Sequence, residues 1–130
     1  MKTEHKELLL KDLCARLFYG VKVYNDIQGD FTLIGLTKER VFTTCEVEGC
    51  HNDFPIELIK PYLFPLSSMT EEQKEEYCSL QQKVIYNSKG LVNSDVMEYV
   101  NWCYKNHIDI NNLIPMGLAN DATGLEIYGK

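Results

Sequence analysis

The spacing of apolar residues changes twice along the chain, and this change restricts the fold more than any other feature of the sequence. In residues 4–17 apolar side chains recur every three or four positions, which places them on one face of a helix. In residues 20–64 the spacing becomes two, as in strands whose side chains alternate between two faces. In residues 70–118 it returns to three and four. The pattern predicts an α+β fold with an N-terminal helix, a sheet and C-terminal helices.

The strand region, residues 20–64, contains four or five short segments separated by polar turns. Residues 37–40, for example, separate an apolar segment from an alternating one that begins at Val41. Pro55 restricts the last short segment to an edge of the sheet, because proline has no amide hydrogen to donate. We expect a small, strongly bent antiparallel sheet, and an SH3-like barrel is one way in which it would close.

The helical region begins with the clearest local motif of the chain. Thr70 and Gln73 fit a capping box, in which each side chain accepts a hydrogen bond from the other residue's backbone amide. The helix that they open is predicted to reach Ile85, and Asn93 or Ser94 is positioned to cap the next helix. Four glutamates between residues 71 and 76 are expected to form a solvated face.

The C-terminal residues are predicted from weaker signals. Asn111 is positioned to cap a last short helix through Met116, which Gly117 ends. Residues 120–130 include Asp, Thr and two Gly, and we expect a loose tail. Since the sequence contains no repeat and no low-complexity linker, residues 1–130 are expected to form a single domain.

The composition and charge narrow the classes of function. The chain is 45% apolar and 25% charged, as in an ordinary globular protein, and its net charge is −6. This charge argues against nucleic-acid binding, which depends on clustered Lys and Arg. No apolar run reaches the roughly 20 residues that a membrane-spanning helix needs. The five cysteines are odd in number, and the charged N-terminus is unlike a signal peptide, so we expect a cytoplasmic protein with reduced thiols.

A scattered set of cysteines and histidines is the most suggestive candidate for a metal centre. Cys45, Cys50 and His51 lie in the strand region, and Cys103 and His107 are four residues apart on a predicted helix. Zinc needs four such ligands, but these residues include no C-x-x-C pair, so we expect no metal. Cys50 beside His51 is also the only adjacent thiol–imidazole pair, and no catalytic signature surrounds it. We therefore predict a protein that is not an enzyme and has no cofactor.

The candidate binding residues lie around the densest aromatic cluster. Trp102, Tyr104 and His107 belong to it. Lys105 is a cation within this segment, and Arg40 is a further available cation elsewhere in the chain. Trp102 falls on a different helical face from the apolar stripe. We expect it to pack on the sheet, and the alternative is that it anchors a partner, a second subunit or a flat ligand ring.

Three segments of the chain resemble a family of short proteins without an assigned activity. They are LLLKDLCARLFYGVKV (8–23), IKPYLFPLSSMTEEQKEEY (59–77) and VMEYVNWCYKNHIDINNLIPMGLA (96–119). This family is found in Bacteroides-type gut bacteria and in their phages and prophages. The resemblance implies a phage or prophage accessory protein that works in the bacterial cytoplasm, and it implies no catalytic residue.

Two hypotheses of function follow. The first is non-enzymatic binding to a host protein. The alternative is sequestration of a small ligand, such as a nucleotide second messenger of a bacterial defence system, which would favour a homo-oligomer with the ligand at the subunit interface. An anionic ligand would need cations around it. The available ones are Arg16, Lys22, Lys38, Arg40, Lys60 and Lys105.

Overall fold

A computed structural model describes residues 2–26, 29–44, 51–86 and 93–128. The helices are α1 (Thr3–Arg16), α2 (Glu71–Tyr86) and α3 (Asn93–Lys105). The strands are β1 (Lys22–Asn25), β2 (Gly29–Leu36), β3 (Arg40–Thr44), β4 (His51–Pro55), β5 (Lys60–Leu63) and β6 (Asn120–Asp121). The predicted α+β fold is confirmed: one helix precedes the first five strands, and two helices follow them. None of the helices in these ranges combines the length and apolar character that crossing a bilayer requires.

The six strands form one mixed sheet in the order β4-β3-β2-β1-β5-β6. The neighbours are antiparallel except β5 and β6, which pair in parallel through Tyr62 with Asn120 and Leu63 with Asp121. The sheet is therefore open, and the possibility of an SH3-like barrel is wrong. Closing a barrel requires the two edge strands to pair, whereas here β6 adds to the free side of β5 and β4 stays at the opposite edge.

The hydrophobic core lies between α1 and one face of the sheet. Leu9 and Leu13 of α1 are fully buried in one cluster with Val21, just before β1, and with the strand residues Val23 and Val41. Burying each such aliphatic side chain contributes about 1.5–3 kcal/mol before conformational entropy is subtracted. This packing fixes the end of α1, and thereby the position of Arg16, against the sheet.

The first turn of α2 has the predicted capping box. The backbone amide of Gln73 donates to the Thr70 hydroxyl at 3.1 Å, and the Thr70 amide donates to the Gln73 side-chain carbonyl at 3.0 Å. The two bonds satisfy amides that would otherwise have no partner within the helix.

Residues 106–118 form turns rather than the predicted short helix. The Asp109 carboxylate accepts hydrogen bonds from the backbone amides of Leu113 and Ile114, at 2.8 and 2.9 Å. Asp109 thus caps the backbone amides of this segment, the role that was predicted for Asn111. The Asn111 side chain instead donates from Nδ2 to the buried carboxylate of Asp12 at 2.8 Å.

The predicted loose tail is also wrong over residues 120–128. The Ala122 amide donates to the Leu63 carbonyl at 2.8 Å, next to the pairing of β6 with β5. The Tyr128 hydroxyl accepts from the Lys22 amide at 3.0 Å and donates to the Tyr62 carbonyl at 2.6 Å. Tyr128 therefore bridges β1 and β5 just beyond their last paired residues. The partners of residues 120–128 lie in segments far away in sequence, and the composition of the tail does not reveal such contacts.

Candidate functional site

A buried ion pair lies where α1 meets the turn after α3. Arg16 is fully buried, and its Nε donates to Asp12 Oδ1 at 2.6 Å. One terminal nitrogen, Nη2, donates to Asp12 Oδ2 at 3.1 Å and to the Ile108 carbonyl at 2.8 Å. Arg16 was counted among the available cations from the sequence, and this is wrong because its charge is already neutralised in the interior.

Tyr104, which is partly buried, contacts this ion pair. The guanidinium carbon of Arg16 lies 4.8 Å from the centroid of the Tyr104 ring, a distance suited to a cation–π contact. The other terminal nitrogen of Arg16, Nη1, is buried and has no hydrogen-bond partner in the described part of the chain. Tyr104 therefore stabilises a charge inside the protein.

His107, which lies in this turn, forms part of the wall of a surface cavity. Its ring stacks on that of Tyr128, with centroids 3.7 Å apart and planes 11° from parallel. Only 9% of His107 is exposed, and its Nδ1 has no hydrogen-bond partner among the described residues. Burial, with a smaller effect from Arg16, lowers the pKa of His107 to about 4. The imidazole is therefore neutral at physiological pH.

The backbone holds His107 in this position. Its φ is 59°, in the left-handed region that few residues other than glycine adopt. Its amide donates to the Tyr104 carbonyl at 3.1 Å, and its carbonyl accepts from the Phe64 amide at 2.8 Å. The strained conformation is thus fixed from both sides, by the end of α3 and by the segment that follows β5.

The cavity beside His107, which we call the His107 cavity, has a volume of about 490 Å³. Lys105 and Asn106 line it from the end of α3, Gln73 from α2, and Glu126 from the C-terminal segment. Phe64, Gly124, Ile127 and Tyr128 complete the lining. The cavity therefore contains two of the predicted binding residues, Lys105 and His107.

Trp102 lines a second depression, between α2 and α3. Its volume is about 370 Å³, and we call it the acidic groove. Its lining consists of Glu75, Glu76, Ser79, Leu80, Glu98 and Trp102. Two of the four glutamates that were expected to form a solvated face, Glu75 and Glu76, are exposed and line this groove beside the single tryptophan of the chain.

The Trp102 ring is fixed by contacts with α2. Its Nε1 donates to the Glu76 carboxylate at 2.7 Å, and its ring centroid lies 6.1 Å from that of Tyr77. The expected packing of Trp102 on the sheet is therefore wrong. The face of α3 that carries Trp102 points towards α2, because the two helices pack against each other.

Arg40 does not join the other predicted binding residues. It lies on β3 and pairs with Asp53 of β4, with 2.5 Å between Nε and Oδ1. It lines neither the His107 cavity nor the acidic groove. Both side chains of this pair are nearly half exposed, so the pair belongs to the surface of the sheet.

The residues that were weighed as zinc ligands, and for which no metal was expected, are only partly described. Cys45, Cys50 and the side chain of His51 lie outside the described residues. Among the side chains that are described, no three metal-ligating groups come together. Cys103 is buried, and burial raises the pKa of its thiol to about 11, which disfavours the nucleophilic thiolate.

One exposed residue was missed by the sequence analysis. Phe18 is 92% exposed, in a 3₁₀ turn over Leu17–Tyr19 that ends at Gly20. Leu17 packs against the core, and in a 3₁₀ turn a residue one position further along is rotated by about 120° from that face. This rotation is the signal that would have identified Phe18 as an outward-facing side chain.

Comparisons with known proteins identify no relative of the chain. No protein-family model, no curated protein and no solved structure matches the chain.

Proposed function

We propose that the protein acts without catalysis, as a phage or prophage accessory protein that binds a protein of the bacterial host. The acidic groove is the surface that makes this contact. The observation that supports the proposal most is the position of Trp102 among Glu75, Glu76 and Glu98. Tryptophan is enriched among the few residues that carry most of the free energy of protein–protein binding.

The chemistry of the groove favours a basic partner segment. Three carboxylates line it, and the ring face of a tryptophan attracts an ammonium or guanidinium group by about 0.5–2 kcal/mol. Leu80 adds an apolar surface for the aliphatic part of a Lys or Arg side chain. The net charge of −6 also accelerates encounter with a positively charged partner.

Trp102 provides a direct spectroscopic test, because it is the only tryptophan in the chain. We expect a hexa-arginine peptide to change the Trp102 emission in a saturable, salt-sensitive way. Glu98→Gln should weaken this binding, because it removes one groove carboxylate. Glu7→Gln changes the net charge equally at an exposed position of α1 and should leave the binding nearly unchanged.

The host partner is identified in a second experiment. A photo-crosslinking residue at Ser79, in the groove, should capture a host protein from a lysate of Bacteroides-type cells through a Lys- or Arg-rich segment. Capture should be lost with Glu98→Lys and kept with Glu7→Lys. A partner that binds both variants equally, or peptide binding that Glu7→Gln weakens as much as Glu98→Gln, would contradict the proposal.

The alternative of nucleotide sequestration has less support. It requires Trp102 or Tyr104 beside two cations, whereas Trp102 lies among glutamates and Tyr104 contacts the paired Arg16. Lys105 lines the His107 cavity together with Glu126, so this cavity has no net positive charge.

A further inference from the structure

The His107 cavity is separate from the acidic groove and has the composition of a small-molecule site. Its volume, about 490 Å³, lies in the range of about 300–1,000 Å³ that is usual for such sites. One wall is aromatic: His107 stacks on Tyr128, and the Phe64 ring centroid lies 5.9 Å from that of Tyr128. Because the imidazole is neutral at pH 7, this wall accepts a flat apolar group.

Two donors and two acceptors remain available at the polar side of the cavity. The capping bond uses the side-chain carbonyl of Gln73 and leaves its amide NH₂ to donate, as the Lys105 ammonium also does. The Asn106 NH₂ donates to the Trp102 carbonyl at 2.9 Å, which leaves its carbonyl oxygen to accept beside the Glu126 carboxylate. One lysine and one glutamate give this lining no net charge.

Backbone strain is concentrated at the same place. Of the three non-glycine residues with positive φ in the described ranges, two line this cavity: His107 at 59° and Glu126 at 49°. Each such residue costs about 1–2 kcal/mol relative to a right-handed conformation. Strain of this kind persists where the surrounding structure enforces it, and it clusters at ligand sites.

From these observations we infer that the His107 cavity binds an aromatic α-amino acid in its zwitterionic form. The ligand carboxylate meets Lys105 and the Gln73 amide, its ammonium meets Glu126 and the Asn106 carbonyl, and its ring packs on the aromatic wall. A zwitterion matches a lining that carries one charge of each sign. A nucleotide does not, because its phosphates would face Glu126 with one lysine to neutralise them.

The inference is tested by calorimetric titration of the full chain with three ligands that differ by one group. They are L-phenylalanine, 3-phenylpropionate, which lacks the ammonium, and phenethylamine, which lacks the carboxylate. We expect L-phenylalanine to bind at least about threefold more tightly than either analogue, as expected for ion pairs at partly exposed positions.

Two substitutions of exposed residues assign the contacts. Lys105→Met should reduce the preference for L-phenylalanine over phenethylamine, and Glu126→Gln should reduce its preference over 3-phenylpropionate. Lys74→Met and Glu72→Gln make the same charge changes outside the cavity and should keep both preferences. Because all four residues are exposed, the variants are expected to fold.

Three results would overturn the inference. The first is no saturable binding of L-phenylalanine at millimolar concentration. The second is binding that neither Lys105→Met nor Glu126→Gln alters. The third is tighter binding of adenosine monophosphate than of L-phenylalanine, which would show that the cavity prefers anions. None of these results depends on Trp102, so they do not bear on the acidic groove.

Discussion

Removing the carboxylate of Asp12 should destabilise the protein more than any change at its surface. Asp12→Ala deletes both hydrogen bonds to Arg16, at 2.6 and 3.1 Å, and the acceptor of the Asn111 amide. The guanidinium then stays fully buried with only the Ile108 carbonyl and the Tyr104 ring to stabilise its charge. Removing one partner of a buried ion pair costs about 3–5 kcal/mol.

The upper part of this range applies here, because Arg16 already has one buried nitrogen without a partner. We therefore expect Asp12→Ala to lower the free energy of unfolding by about 4–5 kcal/mol, a large fraction of the roughly 5–15 kcal/mol that stabilises a typical domain. For a chain of this length the corresponding decrease in Tm is roughly 15 °C.

Urea unfolding, followed by far-UV circular dichroism and by Trp102 emission, measures this change. Asp53→Ala is the matched control, since it breaks the Arg40 pair at the surface and should cost less than about 1 kcal/mol. The double variant Asp12→Leu/Arg16→Met should recover most of the loss, because it removes the uncompensated charge as well.

The reasoning fails if Asp12→Ala is as mild as Asp53→Ala. It fails equally if the double variant is no more stable than Asp12→Ala. Either result would mean that the guanidinium reaches water or another anion in solution, so that the burial of Arg16 does not determine the energetics of this region.

Three further predictions concern single residues. The pKa of His107 is lowered from 6.5 to about 4 in the folded state, so the unfolded state binds the proton first on acidification, and the free energy of unfolding should fall between pH 6.5 and about 4. Urea titrations at several pH values should show a smaller fall for His107→Asn, a substitution that suits the left-handed backbone. Thr70→Ala should cost about 1 kcal/mol by removing the α2 cap, measured by thermal unfolding, with Ser67→Ala as an exposed control that should have little effect. Gly20→Ala should cost about 1–2 kcal/mol although a Cβ there would meet nothing within 4 Å, because φ at Gly20 is 67°; an unchanged urea midpoint would contradict this.

Local signals in the sequence predicted the elements whose stabilising contacts are also local. The capping box of Thr70 and Gln73 lies within four residues and α1 within four turns, so both were visible without knowledge of the fold. The buried face of α1 was not fully predicted, because Leu9 and Leu13 are buried whereas Cys14 is exposed. The pairing of β5 with β6 joins Leu63 to Asp121, and no local pattern encodes it. For the same reason the barrel and the loose tail were wrong.

The candidate sites, like the fold, were predicted only where their residues lie close together in sequence. Lys105 and His107 are neighbours in sequence, and the structure places both in one cavity. Gln73, Glu126 and Tyr128 reach this cavity from other segments, and sequence patterns gave no sign of it. Arg16 was taken for an accessible cation although Asp12, four residues earlier, stands at a spacing that suits an ion pair on a helix. What the sequence does not show is that both side chains are buried.

The Tyr128 bridge between Lys22 and Tyr62 also constrains how the protein folds during its synthesis. A ribosome completes β1 to β5 long before it adds Tyr128, so the nascent chain contains five strands whose outer edge at β5 is still unpaired. Such an edge readily pairs with other extended chains. The last step of folding must therefore follow the emergence of residue 128 from the ribosome, and ribosome-bound chains halted earlier should be the species that chaperones hold longest.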